Sequence, residues 1–275
     1  MDSGAPAPLV RVDGLRLSLP DLNARRPFGR TPMVEILKGL DFALPRGTVT
    51  GIVGESGSGK STLGRCLVGL HRPTAGRIAF DGVDIGALDA DALRARRGDI
   101  QMIFQDPMSS LNPRKTVGRA LSEPMALHGL EAGPDAVNAL LDRVRLPAAF
   151  AARYPHQMSG GQRQRVGIAR ALAVRPRFVV ADEIVSGLDV STQAEILALL
   201  EGLVRDFDLT LAFISHDLSV VRRLCTHLVV LRAGEIVEAG ETARLFDTPA
   251  HAYTRALREA IPLPDIDAAW LDPAS

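Results

Sequence analysis

Apolar and polar positions alternate along residues 9–19, LVRVDGLRLSL, as on a strand with one buried face. Residues 20–33, rich in Pro, Arg and Gly, read as a loop, and a second strand follows over 34–44. Beyond the Pro45-Arg46-Gly47 turn, VTGIV at 49–53 is wholly apolar, the pattern of a strand covered on both faces. Leu63, Cys66, Leu67 and Leu70 then fall at helical spacing over 60–70, and Pro73 and Gly76 stop that helix. Short strands with an Asp81-Gly82 turn occupy 76–104 and end in the apolar run IQMIF. From about 106 to 173 the strand patterns vanish, and Pro134, Pro147 and Pro155 mark helix starts or breaks.

Strands return at 177–181 and 209–214, each followed by a helix. The helix near 192–206 is predicted to open on a capping box, Thr192 with Glu195, and to present Ile196, Leu199, Leu200 and Leu203 on one face. This alternation predicts an α/β fold, a mostly parallel sheet covered by helices, with 106–173 as a helical insert.

Composition removes several alternatives. At 275 residues, 46% hydrophobic and 23% charged, the chain matches globular usage, which excludes a disordered or fibrous chain. Lys+Arg and Asp+Glu number 32 each, so the basic surplus of a nucleic-acid binder is missing and no nucleic-acid partner is expected. Lys38, Lys60 and Lys115 are the only lysines among many arginines, which singles out Lys60. Cys66 and Cys225 are far apart and have no metal-ligand spacing, as in a reduced compartment. The opening MDSGAPAPLV lacks the basic and apolar regions of a signal peptide, and no apolar run nears the roughly 20 residues of a membrane span.

The first chemical motif is Gly54-Glu55-Ser56-Gly57-Ser58-Gly59-Lys60-Ser61-Thr62, a full G-x4-G-K-S match between a predicted strand and a predicted helix. Glycines let consecutive backbone N–H groups wrap phosphate oxygens, and the new helix adds partial positive charge at its start. Lys60 would reach the β- and γ-phosphates and the Ser61 hydroxyl would ligate Mg2+. A ligand-free glycine turn is the bland alternative.

The second is FVVADE at 178–183, a strand ending in two carboxylates at the carboxyl edge of a parallel sheet, where ligands bind in such folds. Asp182 would hold Mg2+, and Glu183 would take a proton from an attacking water. Many buried strands end this way; the pairing with the glycine-rich loop gives this one meaning.

The third is MSGGQRQR at 158–165, ahead of a helical stretch. Ser159, Gly160, Gly161 and Gln162 form either an ordinary capped helix start or a second phosphate-receiving turn. One nucleotide needs one such loop, so a second implies a second nucleotide surface.

In this order the motifs resemble the ATP-binding subunits of ABC transporters, whose signature is LSGGQ against MSGGQ here. The resemblance covers roughly residues 8–262. It implies a P-loop NTPase core, a RecA-like parallel sheet plus an antiparallel β subdomain, with an inserted α-helical subdomain. The ATP-binding domain would span 8–247 and an importer-type extension 248–275.

It also implies roles. Gln105 matches the glutamine that contacts Mg2+ or water and senses the membrane subunit. Ser186-Gly187-Leu188-Asp189 matches a turn normally written SALD, and His216 matches the histidine that reads the γ-phosphate; by itself His216 is an ordinary helix-start or partly buried histidine. Ile184 stands where most relatives carry Pro. The adenine would stack on Phe28, or pack against an aliphatic residue such as Leu19 or Val34; Phe42 belongs to a strand pattern and the core.

The segments QDPMSSLNPRKTV (105–117), EPM (123–125), RYPHQMSGGQRQR (153–165) and HAYTRAL (251–257) are similar to the oligopeptide, dipeptide and nickel importer branch. The implied complex has ATP and Mg2+ as cofactors, a second ATPase subunit, two transmembrane permeases and a solute-binding protein. It would sit at the cytoplasmic face of the inner membrane and take up peptides. Nickel or a metal–chelator complex is the alternative cargo, and a non-transport ABC ATPase is the competing class.

Overall fold

A computed structural model describes residues 7–21 and 31–260. The chain opens with β1 (Val10–Pro20), β2 (Met33–Leu44), β3 (Val49–Val53) and α1 (Lys60–Leu67). Then come β4 (Ala75–Phe80), β5 (Val83–Asp84), α2 (Ala90–Arg96) and β6 (Ile100–Ile103). Residues 106–173 hold α3 (Pro107–Ser110), α4 (Val117–Leu127), α5 (Pro134–Arg143), two 3-10 turns and α6 (Gly160–Leu172), with no strand. The chain continues through β7 (Phe178–Asp182), α7 (Val190–Phe207), β8 (Thr210–Ile214) and α8 (Leu218–Leu224). It closes with β9 (His227–Arg232), β10 (Glu235–Glu241), α9 (Thr242–Asp247) and α10 (Ala252–Glu259).

Two sheets result. One is antiparallel with order β2-β1-β4-β5; the other has order β10-β9-β3-β8-β7-β6, parallel except for the β10 edge. The central strands of the large sheet are apolar throughout because both faces are buried. Along β8, Leu211 and Phe213 face the core under the helices, whereas Ala212 and Ile214 face the core between the two sheets. Val179 and Ala181 of β7 divide from Phe178 and Val180 in the same way, the two-residue period of a strand.

Helix α1 fills the second core through Leu63, Cys66 and Leu67. Gly64 lets it lie close to the sheet, since a Cβ there would come within 2.8 Å of Ile214 Cδ1. Cys66 and Cys225 are free and buried on opposite faces of the large sheet, and burial pushes the Cys66 thiol up to about 12. Among the described residues no helix is long and apolar enough to cross a membrane.

Three expectations need correction. Helix α7 opens at Val190, and its cap is Asp189, whose carboxylate accepts the Thr192 N–H at 2.9 Å and the Thr192 hydroxyl at 2.7 Å. Aspartate caps at least as well as threonine, so the Thr192–Glu195 box does not form, and Glu195 pairs with Arg165 at 2.6 Å instead. Helix α1 ends at Leu67 rather than at residue 70, because Gly69 turns the chain at a φ of +72°. Residues 76–104, read as short strands, also hold helix α2, which buries no residue and so carries no apolar period to read.

The small sheet is tied to the large one at Asp81, in the turn between β4 and β5. Its carboxylate accepts hydrogen bonds from Arg46, after β2, and from Arg177, just before β7, the latter at 2.8 Å. Hydrogen bonds from Arg177 and then Arg46 hold its carboxyl down at about 2. A depressed carboxyl stabilises the fold above its unfolded value of about 3.9. That contribution is lost as pH falls toward the folded value. Asp81→Asn is therefore expected to lower the urea midpoint at pH 7, with the gap to wild type closing between about pH 4 and pH 2. Urea unfolding across that range measures it.

Candidate active site

Strand β3 is buried along its whole length and ends at Val53, where the chain must turn sharply. Gly54 does so with a φ of +152°, and a Cβ on it would lie 2.0 Å from the Leu231 carbonyl oxygen, so no side chain fits. The loop closes at Gly59, the left-handed cap of α1, and Gly234 braces it by donating its N–H to Ser58 O at 3.0 Å. The first helical hydrogen bond is Leu63 N–H to Gly59 O. The amides of Lys60, Ser61 and Thr62 thus lie in the helix's first turn, free of intrahelical acceptors and suited to an anion.

Lys60 is buried, and its ammonium donates to Gly54 O and to Glu55 O, each at 2.7 Å. Burial lowers its pKa, against the pull of the Glu183, Asp182 and Glu55 carboxylates. The side chain is held inside the loop it serves.

Asp182 ends β7 opposite Ile214 of β8, which brings the two strand ends level beside α1. Ser61 Oγ donates to Asp182 Oδ1 at 2.8 Å. Burial raises the Asp182 carboxyl, with Ser61 opposing and Glu183 reinforcing the shift. A hydroxyl and a carboxylate are hard oxygen donors of the kind Mg2+ takes, and a buried carboxyl of raised pKa gains from a cation beside it. The pair fits that ion.

Glu183 follows with a φ of +48°, a strained setting for a non-glycine residue, and its N–H donates to Ile214 O at 3.0 Å. Gln105, two residues beyond β6, donates from Nε2 to Glu183 Oε2 at 3.2 Å. His216, two residues beyond β8, brings Nδ1 to within 3.5 Å of that same oxygen. Asp217 fixes the histidine's backbone by capping α8, accepting the Ser219 N–H at 2.9 Å. Three segments from three strand ends meet on one carboxylate oxygen.

Ser159, Gly160, Gly161 and Gln162 form a second group. Ser159 Oγ accepts the Gln162 N–H at 3.3 Å while Gln162 Oε1 accepts the Ser159 N–H at 3.0 Å, a reciprocal cap on α6. The S-x-x-Q spacing carried that signal in the sequence. The turn lies against the start of α7, where a Cβ on Gly161 would come 2.4 Å from Thr192 Cγ2. It therefore sits beside the Asp189 cap. Ser159 and Gly160 are exposed.

Phe28 lies outside the described residues. Leu19 and Val34 pair across β1 and β2, with Val34 41% exposed, and Phe42 is half-buried against the core between the sheets. Tyr253 was not legible as part of the site. It is buried, and its hydroxyl accepts the Glu55 N–H at 2.9 Å. The sequence offered one hint: tyrosine occurs only twice in 275 residues, here within HAYT.

A family profile described as "ABC transporter" matches residues 37–186. A putative peptide import ATP-binding protein of Brucella ovis is 46% identical over 95% of this chain and 81% of its own. The oligopeptide transport ATP-binding protein AppF of Bacillus subtilis is 48% identical over 84% of this chain and 71% of its own. Among solved structures, a dimeric post-hydrolysis state of the ATP-binding cassette MJ0796 bound to ADP and Pi superimposes with a TM-score of 0.74. It is 30% identical, covering 85% of this chain and 98% of that one.

Proposed function

Because this chain belongs to the ABC transporter family, we propose that it is the ATP-hydrolysing subunit of an importer whose cargo is peptide. It pairs with a second ATPase subunit at the cytoplasmic face of the membrane and drives two permeases fed by a solute-binding protein. Peptide cargo is supported by the relatives named for peptide and oligopeptide transport. The observation that carries the catalytic reading is the convergence of Gln105 and His216 on Glu183 Oε2, next to the Ser61–Asp182 pair.

The chemistry follows from that arrangement. The first-turn amides of α1 and the Lys60 ammonium hold the phosphates of ATP and stabilise charge developing on the γ-phosphoryl group. Ser61 and Asp182 would hold Mg2+, which would supply charge neutralisation for the phosphates. Gln105 occupies Glu183 Oε2 and leaves the second carboxylate oxygen to accept a proton. Water bonds the γ-phosphorus as the bridge to the β-phosphate breaks, Glu183 takes the water's proton, and ADP and phosphate result. His216, 3.5 Å from that carboxylate, helps to orient it and would read the γ-phosphate.

The signature turn serves the partner's nucleotide. Ser159 and Gly160 in that turn are exposed, as a surface built for a second subunit requires. Two such chains, head to tail, close over two ATP molecules.

Glu183→Gln is expected to retain ATP binding, lose at least about a hundredfold in turnover, and form a stable dimer with Mg2+-ATP. Light scattering with an ATPase assay reads both, and normal turnover removes Glu183 from the role of base. Ser159→Arg is expected to bind ATP as a monomer but not to dimerise; wild-type ATPase in that variant refutes the sandwich. Tagged Glu183→Gln protein captured from solubilised native membranes is expected to bring multi-span permeases and a solute-binding protein that binds peptides. Recovery of ribosomal or DNA-repair proteins alone sinks the transport reading.

A further inference from the structure

Helix α10 lies outside the stretch matched to the family, yet it reaches the phosphate loop. The helix is firmly seated. Glu238 of β10 accepts the N–H groups of Ala250 at 2.9 Å and His251 at 3.1 Å, and His251 Nδ1 caps the helix by accepting the Tyr253 N–H at 3.1 Å. The Tyr253 ring is 7% exposed and lies under the Arg232 guanidinium, 5.0 Å from the ring centroid. With backbone and ring both fixed, the hydroxyl has one place to be, and the Glu55 N–H is there.

That N–H belongs to the Gly54–Glu55 peptide, whose carbonyl accepts from Lys60 Nζ. One peptide plane is thus gripped at both poles, and it is the plane where the chain leaves β3. The two grips differ in permanence. An ammonium has three donors, and here two of them engage the loop's own carbonyls. To reach both the β- and the γ-phosphate, as the proposed function requires, Lys60 must release at least one of these carbonyls, and release of Gly54 O loosens the carbonyl pole of that plane.

We propose that Tyr253 is a positioning residue for the phosphate loop: its hydroxyl holds the Gly54–Glu55 peptide in place while Lys60 exchanges loop carbonyls for nucleotide. The inference rests on the reading of Lys60 as a phosphate ligand. It assigns to the C-terminal helix a direct part in ATP affinity.

Tyr253→Phe in the full chain removes the hydroxyl and keeps the ring beneath Arg232. The expected result is a KM for ATP raised about three- to tenfold, the scale of one positioning hydrogen bond, with kcat within about twofold of wild type. Hydrogen exchange of the Glu55 amide is expected to accelerate about tenfold or more, with the β3 amides unchanged. The thermal midpoint without nucleotide stays at the wild-type value.

Wild-type KM and wild-type Glu55 exchange overturn the proposal. A lowered thermal midpoint with unchanged KM overturns it too, since that marks a residue that only packs. Lys60→Ala measured alongside separates the two readings. If it loses ATP while Tyr253→Phe binds normally, the Tyr253 role alone fails. If Lys60→Ala binds like wild type, the phosphate-loop reading falls and takes the Tyr253 role with it.

Discussion

The parallel pairing of β3 with β8, and of β8 with β7, brings Val53, Ile214 and Asp182 to one edge of one sheet. The groups gathered around Glu183 and Lys60 all hang from that edge. The phosphate loop leaves β3, the two carboxylates leave β7, the histidine leaves β8, and Gln105 leaves β6 one strand further on. A slip of one residue in any of these registers would send side chains into the wrong core, so the site's geometry is enforced by both buried cores. Alternating residues of β7 and β8 lock into opposite cores, and each buried Leu, Val or Phe contributes about 1.5–3 kcal/mol to keeping the register.

Electrostatics at that edge are arranged around one buried cation and several carboxylates. Lys60 lies within the field of Glu183, Asp182 and Glu55, and burial still lowers its pKa. Asp182 is pushed the other way, toward its neutral form. Burial disfavours the charged form of both groups, and both gain from what the proposed reaction would bring: phosphate for the lysine, a divalent cation for the aspartate. Meanwhile the loop satisfies itself, with the ammonium occupying carbonyls of its own backbone.

Much of this was written in local patterns. The G-x4-G-K-S run lay between a recognisable strand and helix, and the apolar run ending in Asp182-Glu183 declared a buried strand with carboxylates at its end. The alternation of strand and helix gave the parallel sheet. What escaped depended on partners distant in sequence or on close competitors nearby. Asp189 and Thr192 both have capping chemistry, and only the turn leading into α7 decides between them. Helix α2 has no buried face to impose a period. Tyr253 and Glu55 meet only because α10 is pinned to β10 by Glu238, a contact no spacing rule encodes. Phe28, the aromatic candidate for the base, falls outside the described residues, while Val34 on β2 is exposed beside Leu19.

The placement of the two thiols has a use of its own. Cys66 is buried in the core between the sheets and Cys225 in the core beneath the helices, and burial pushes both thiols toward the protonated, less reactive form. Opening of its own side of the sheet is expected to speed each thiol's reaction with an alkylating dye. The protein thus carries one latch indicator per core. A labelling rate followed at each cysteine separates the breathing of the antiparallel sheet from that of the helical side, with no engineered probe.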